Sequence, residues 1–294
     1  MTASAVRSSW TTFWFTQEAS GRILRPIRIG IALLCALYFA SHWADIGWWF
    51  SQSGALGPDA VRQFLIDADL GDSAGWRLSP LYLVDSPWLL RAYLLAGIGL
   101  SLAWGWWTRN RWLGIGVWLA VVGLANRSFL IAGLEELLLV WSVAYLALAP
   151  ADGVEHWSGS LALRAIQVHL TILIGVTGLT MLSSLAWWDG TGVMALVAPI
   201  EDRYFDWGRI LSAAWMQELV SLLIVWGAIA GPVLLWIKAT RTVAHIGLTV
   251  WAVGLALLSG QAIAFVGIAV LLLAFRSLRD HHADIVVSEF ASER

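Results

Sequence analysis

The sequence predicts an all-α, polytopic transmembrane helical bundle of about eight spans with both termini cytoplasmic. Three observations carry this. Of the 294 residues, 59% are hydrophobic and only 13% charged, with a mean hydropathy of +0.72. Apolar runs long enough to cross a bilayer recur along the chain, and basic residues fall on every second connection. A soluble domain carries about twice that charged fraction, so lipid must replace water as the main solvent. The expected setting is the cell inner membrane, with the lipid bilayer as partner. A net charge of −2 argues against nucleic acid. The single cysteine, Cys35, excludes an intrachain disulfide.

A crossing helix needs about 20 mostly apolar residues. Such runs lie near Ile27–Trp43, Leu89–Trp107, Trp112–Ile131, Leu134–Ala149, Leu163–Leu185 and Leu211–Ile237, followed by the shorter Val243–Leu258 and Ala262–Phe275. As one helix, 243–275 would approach 50 Å, so a break is expected at Ser259-Gly260-Gln261. Two full crossings and a re-entrant hairpin both fit that break. The proposed inner connections hold Arg7, Arg22, Arg25 and Arg28; Arg109 and Arg111; Arg164; Lys238 and Arg241; and Arg276 and Arg279. The long first loop holds six aspartates (Asp45, Asp59, Asp67, Asp69, Asp72, Asp85) against Arg62 and Arg77, which places it outside.

The layout is then residues 1–25 as a cytoplasmic interfacial amphipathic segment, 26–278 as the transmembrane domain with extracytoplasmic loop 45–87, and 279–294 as a cytoplasmic tail. The first 25 residues hold Trp10, Phe13, Trp14 and Arg22 rather than a short apolar core, so no cleavable leader is expected. Trp10, Phe13 and Trp14 share one face of a surface helix. In the outer loop, Asp59 is a candidate cap for a helix with Val61, Phe64, Leu65 and Ala68 on one face. Of the 21 tryptophans, many end apolar runs, as Trp43, Trp48, Trp49, Trp88, Trp104, Trp106, Trp107, Trp112, Trp187, Trp188 and Trp236 do; mid-span Trp118, Trp141, Trp226 and Trp251 read as core. Gly175, Gly178, Gly227 and Gly231 read as close helix-packing points.

Ionisable groups at membrane depth mark function, pairing or a helix end. Asn126 and Arg127 close the third span, and Glu135 and Glu136 open the fourth, so Arg127 can pair with either glutamate or share a polar outer-leaflet site with them. Gln167 and His169 lie near the inner end of the fifth span, Glu218 near the outer end of the sixth, and His245 beside Lys238 and Arg241. His169 and Glu218 are the candidate catalytic acid–base groups. No GxSxG, HExxH, CxxC or P-loop occurs, and the Asp280–Asp284 stretch, DHHAD, reads as solvated tail, so no metal site is expected.

The stretches GALGP, WRLSPLYLVDSP, NRSFLIAGLEELLLVWSVAYLALAPADG and RAIQVHLTILIGVTGLTMLSSLAWWDGTGVMALV occur in an order that resembles HTTM proteins. That is the membrane domain shared with vitamin K-dependent gamma-glutamyl carboxylase, and the resemblance covers roughly residues 20–278. It implies a reduced quinone as cofactor and a desolvated lysine as the initiating base. The corresponding place reads Gly178-Leu179-Thr180-Met181-Leu182, in which no side chain can act as that base, and the only lysine is Lys238, on the inner side. Asn126 matches the family's asparagine, but its following histidine is Arg127 here; the large extracytoplasmic substrate-docking domain is also expected to be missing. The resemblance therefore points to a quinone, lipid or other apolar small molecule held near Asn126, Arg127, Glu135, Glu218, Trp187 and Trp188, without gamma-carboxylation. Two alternatives stand beside it: an accessory protein for peptide maturation or export with a membrane partner protein, and a divergent enzyme using Glu218 or His169.

Overall fold

The computed structural model describes residues 10–15, 20–51, 54–67, 79–84, 86–107, 110–150, 156–197 and 205–276. The tail expectations, Asp280–Asp284 included, lie outside the described residues, as do Ala68, Asp69, Asp72 and Asp85.

All regular structure among the described residues is helical. The helices are α1 (residues 10–15), α2 (Ser20–Ser41), α3 (Ile46–Phe50), α4 (Pro58–Asp67), α5 (Pro87–Trp106), α6 (Arg111–Arg127), α7 (Leu134–Leu148) and α8 (Trp157–Leu182). They continue as α9 (Leu185–Trp188), α10 (Thr191–Leu196), α11 (Trp207–Ile210), α12 (Ala214–Trp236), α13 (Arg241–Ser259) and α14 (Ala262–Leu272). Five, namely α2, α5, α8, α12 and α13, are long and apolar enough to cross a membrane. The chain is thus an all-helical, multi-span membrane protein. α6 and α7 are shorter, at 17 and 15 residues, and α14 is prolonged by a 3-10 turn, Leu273–Phe275.

Packing divides the bundle in two. α2 lies along α5, α5 on α6 and α6 on α7, while α8, α12 and α13 pack in series and α13 folds back on α14. α14 joins the halves by touching α2, α7 and α8. In α2 the inward stripe is Ile27, Ile31, Leu34, Cys35 and Tyr38, yet Ile29, Leu33 and Leu37 are also apolar and exposed. A helix apolar all round has lipid on its outer face.

The expected break between α13 and α14 is present. Gly260 adopts φ +70°, a left-handed conformation that ends α13, and Gln261 N–H donates to Ser259 Oγ at 3.2 Å. Small residues bring helices together where a Cβ would collide: at Gly227 it would stand 2.7 Å from Trp251 Cδ1, and at Gly231 2.5 Å from Leu248 Cδ2. Gly178 faces Ala228 in the same way, but a Cβ at Gly175 would meet nothing within 4 Å among the described residues, so Gly175 makes no close packing inside this chain.

Several boundaries and faces differ from the sequence reading. α8 begins at Trp157 rather than near Leu163, because the polar first turns project past the apolar run with His156 Nδ1 accepting from Ser158 N–H. Asp59 lies inside the first turn of α4 instead of capping it, and Phe64 points outward while Val61 and Leu65 are buried. Trp104 is a core residue at 2% exposure, since Gly114 on α6 leaves room for its indole. Trp226 is exposed on α12. Trp43, Trp48, Trp88, Trp106, Trp107 and Trp112 do lie exposed near span ends, as interfacial indoles should. Trp10, Phe13 and Trp14 form one aromatic face on α1, and the Phe13 ring packs against Trp236 at a tilt of 33° with centroids 5.9 Å apart.

Candidate functional site

Two groups of polar side chains at membrane depth stand out among the described residues. The first joins the α2–α3 turn to the α6–α7 hairpin. Arg127 closes α6 fully buried, its guanidinium 4.9 Å from the Tyr82 ring centroid and 5.4 Å from that of Phe50, and Nη2 donates to the Phe50 carbonyl at 3.1 Å. Such stacking suits arginine's planar, weakly hydrated cation. Tyr82 O–H donates to the Asn126 carbonyl at 3.2 Å, and Ser79 Oγ–H to the Gly123 carbonyl at 2.6 Å. Arg127 is thereby a clasp holding α3 and the 3-10 turn Pro80–Leu83 onto α6.

Both neighbouring glutamates lie in the first turn of α7. Glu136, at the third position of α7, accepts from Gly133 N–H at 2.7 Å, half of a capping box, and from the Tyr38 hydroxyl at 3.3 Å. Glu135 is half-buried beside it. The His42 ring lies 4.9 Å from that of Tyr38, with Nδ1 2.9 Å from the Tyr38 carbonyl oxygen. Arg127 Nη2, the Tyr38 hydroxyl and the Glu136 carboxylate are thus bonded within the fold, whereas the buried Glu135 Oε2 has no hydrogen-bond partner among the described residues.

The second cluster lies between α7 and α8. The His169 imidazole stacks on Trp141, with centroids 4.3 Å apart and planes 23° off parallel, and its Nδ1 is 3.2 Å from the Tyr145 hydroxyl. Gln167 carries the amide below it, donating through Nε2 to the Ala274 carbonyl at 2.6 Å and accepting from Arg164 Nη1 at 2.9 Å. Arg164 also donates from Nε to the Phe13 carbonyl at 3.1 Å and lies 4.7 Å over the Phe13 ring, which fixes α1 against α8. An open cleft of about 360 Å³ adjoins the imidazole, lined by Trp14, Tyr145, Ala165, Val168, His169 and Ile172.

The sequence-derived ligand set is split. Asn126, Arg127 and Glu135 are neighbours at the α6–α7 hairpin. Glu218, Trp187 and Trp188 belong instead to the junction of α9, α10 and α12. There Glu218 is exposed, Trp188 Nε1 donates to the Leu182 carbonyl at 2.9 Å, and Trp187 packs over Gly192. Gly190 turns the chain at φ +82° against the backbone of Gln217 and Glu218. Thr191 donates to Asp189 from both its hydroxyl, at 2.6 Å, and its N–H, at 2.9 Å, and these bonds hold the exposed Asp189 carboxyl below its ordinary pKa. His245 stands apart, with Thr249 Oγ1 3.3 Å from its Nδ1.

Tyr145, Trp141 and Trp14 escaped the sequence reading as parts of the His169 group. Trp141 and Tyr145 are spaced i, i+4 on α7, a signal that an aromatic stripe there carries a hydroxyl. Among the described residues no cluster of three or more His, Cys, Asp or Glu that could hold a metal occurs.

Fold and clusters together define a multi-span integral membrane protein with lipid contact over its apolar outer faces. Comparison with protein-family models, curated proteins and solved structures returned no match.

Proposed function

We propose that this chain is an HTTM-type inner-membrane protein of eight crossings with cytoplasmic termini, which holds an apolar small molecule such as a lipid or quinone and does not gamma-carboxylate. The observation that carries the ligand reading is the cleft at His169, a polar side chain at membrane depth that faces open space rather than being consumed by packing. The position of the family's base supports the exclusion of carboxylation. Thr180 is exposed on α8, its hydroxyl donating to the Val176 carbonyl at 2.9 Å, and Lys238 is exposed in the turn between α12 and α13. Neither offers a desolvated amine.

Native mass spectrometry of protein purified in mild detergent tests the reading. The expected result is a retained apolar molecule whose occupancy falls in Ala165→Trp, which fills the cleft and leaves His169 untouched. No retained molecule, or equal occupancy in Ala165→Trp, would contradict it.

A further inference from the structure

Resting on that reading of a ligand-holding protein, we propose that the His169 cleft binds a diacyl phospholipid by donating a hydrogen bond from His169 Nε2 to a chain ester carbonyl. The first support is the proton's position. Tyr145 O–H has one acceptor among the described residues, His169 Nδ1. With the Tyr145 hydroxyl donating to Nδ1, the neutral imidazole carries its proton on Nε2. One ring face lies on Trp141 and the Nδ1 edge on Tyr145. The Nε2 edge and the outer face remain for the cleft, where the Nε2 proton can be donated to an acceptor.

Depth narrows the class of acceptor. Tyr145 lies three residues before the end of α7 at Leu148, about 5 Å along the axis. That end of the bundle is marked by Arg28, whose Nη2 donates to the Pro150 carbonyl at 3.0 Å, by Arg241 and by the amphipathic α1. Basic residues, interfacial aromatics and a surface helix together place the cleft at the boundary of headgroups and acyl chains, where ester carbonyls reside.

The walls agree. Ala165, Val168 and Ile172 give an apolar lining suited to a chain, Ile172 is 55% exposed toward lipid, and Trp14 adds an indole to the wall. Charge recognition of the phosphate has no support here, because the nearby Arg164 guanidinium is committed to Phe13 and Gln167. A carbonyl is left as the recognised group.

The test uses delipidated protein offered equal amounts of dioleoyl phosphatidylethanolamine and its dialkyl ether analogue, which lacks both carbonyls, with native mass spectrometry reading the retained ratio. One neutral hydrogen bond corresponds to about a fivefold preference for the diester. His169→Phe should bring the ratio to about one by the same arithmetic, and His169→Gln, which keeps an N–H donor, should preserve it. Equal retention of the two lipids by the unaltered protein, or a diester preference that survives in His169→Phe, would overturn the assignment. So would a retained non-lipid molecule whose occupancy depends on His169. Failure to retain any apolar molecule defeats the broader reading, whereas retention indifferent to the carbonyl and to His169 defeats this inference alone.

Discussion

Gly190→Ala should be among the most damaging single-methyl additions in the protein. Gly190 holds φ +82°, where an L side chain costs about 1–2 kcal/mol. The added Cβ would stand 2.6 Å from Glu218 N and 2.8 Å from Gln217 C, and both are backbone atoms of α12. Relief requires the turn and α12 to separate, an overpacking cost of about 1–3 kcal/mol. That movement also stretches the 3.3 Å hydrogen bond from Ser221 Oγ–H to the Gly190 carbonyl. The sum is about 2–5 kcal/mol. Gly175→Ala is the matched control: it lies within α8 with nothing within 4 Å of the new methyl, so alanine's helix preference should stabilise by about 0.5–1 kcal/mol. Thermal unfolding in mild detergent, followed by tryptophan fluorescence, should separate the two variants by on the order of 10 °C. Equal midpoints, or a higher one for Gly190→Ala, would refute the geometry of this turn.

Other outcomes follow from the same structure. Arg127→Lys should destabilise by about 2–4 kcal/mol despite keeping the charge, since an ammonium cannot stack between Phe50 and Tyr82; hydrogen exchange should show faster opening at residues 46–50. Glu136→Ala leaves both Gly133 N–H and the buried Tyr38 hydroxyl without an acceptor and should cost about 2–4 kcal/mol, while Glu136→Gln, which retains a carbonyl, should recover most of that in the same unfolding assay. The Asp189 carboxyl titrates below its unfolded value of 3.8, so its contribution is present at neutral pH and is lost as the pH falls through the folded-state value. An acid-side titration of stability should lose that component in Asp189→Ala.

Features that depend on local spacing were legible in the sequence. The aromatic face of α1 follows from i, i+3, i+4 spacing, the α13–α14 break from length and a glycine, and the close approach at Gly227 and Gly231 from small-residue spacing. Long-range partners were not. Arg127 reaches Phe50, 77 positions away, and Tyr38 reaches Glu136, 98 positions away, and neither contact is visible from proximity along the α6–α7 hairpin. Trp104 and Trp226 exchanged roles because position along a span sets depth in the bilayer, whereas orientation around the helix sets burial. His169 was visible as a polar group near a span end. That it stands beside open space depends on how α1, α7 and α8 meet, which no single helix encodes.

The central claim is that bilayer surrounds this bundle with its arginine-rich turns on one face, and sidedness tests it most directly. In a Cys35→Ala background, which removes the buried native thiol, single cysteines at Ala60 on α4 and at Asn110 before α6 are both placed at exposed positions. A membrane-impermeant maleimide should label Ala60→Cys in intact cells and Asn110→Cys only after the membrane is opened. Labelling of both from the same side would contradict the account.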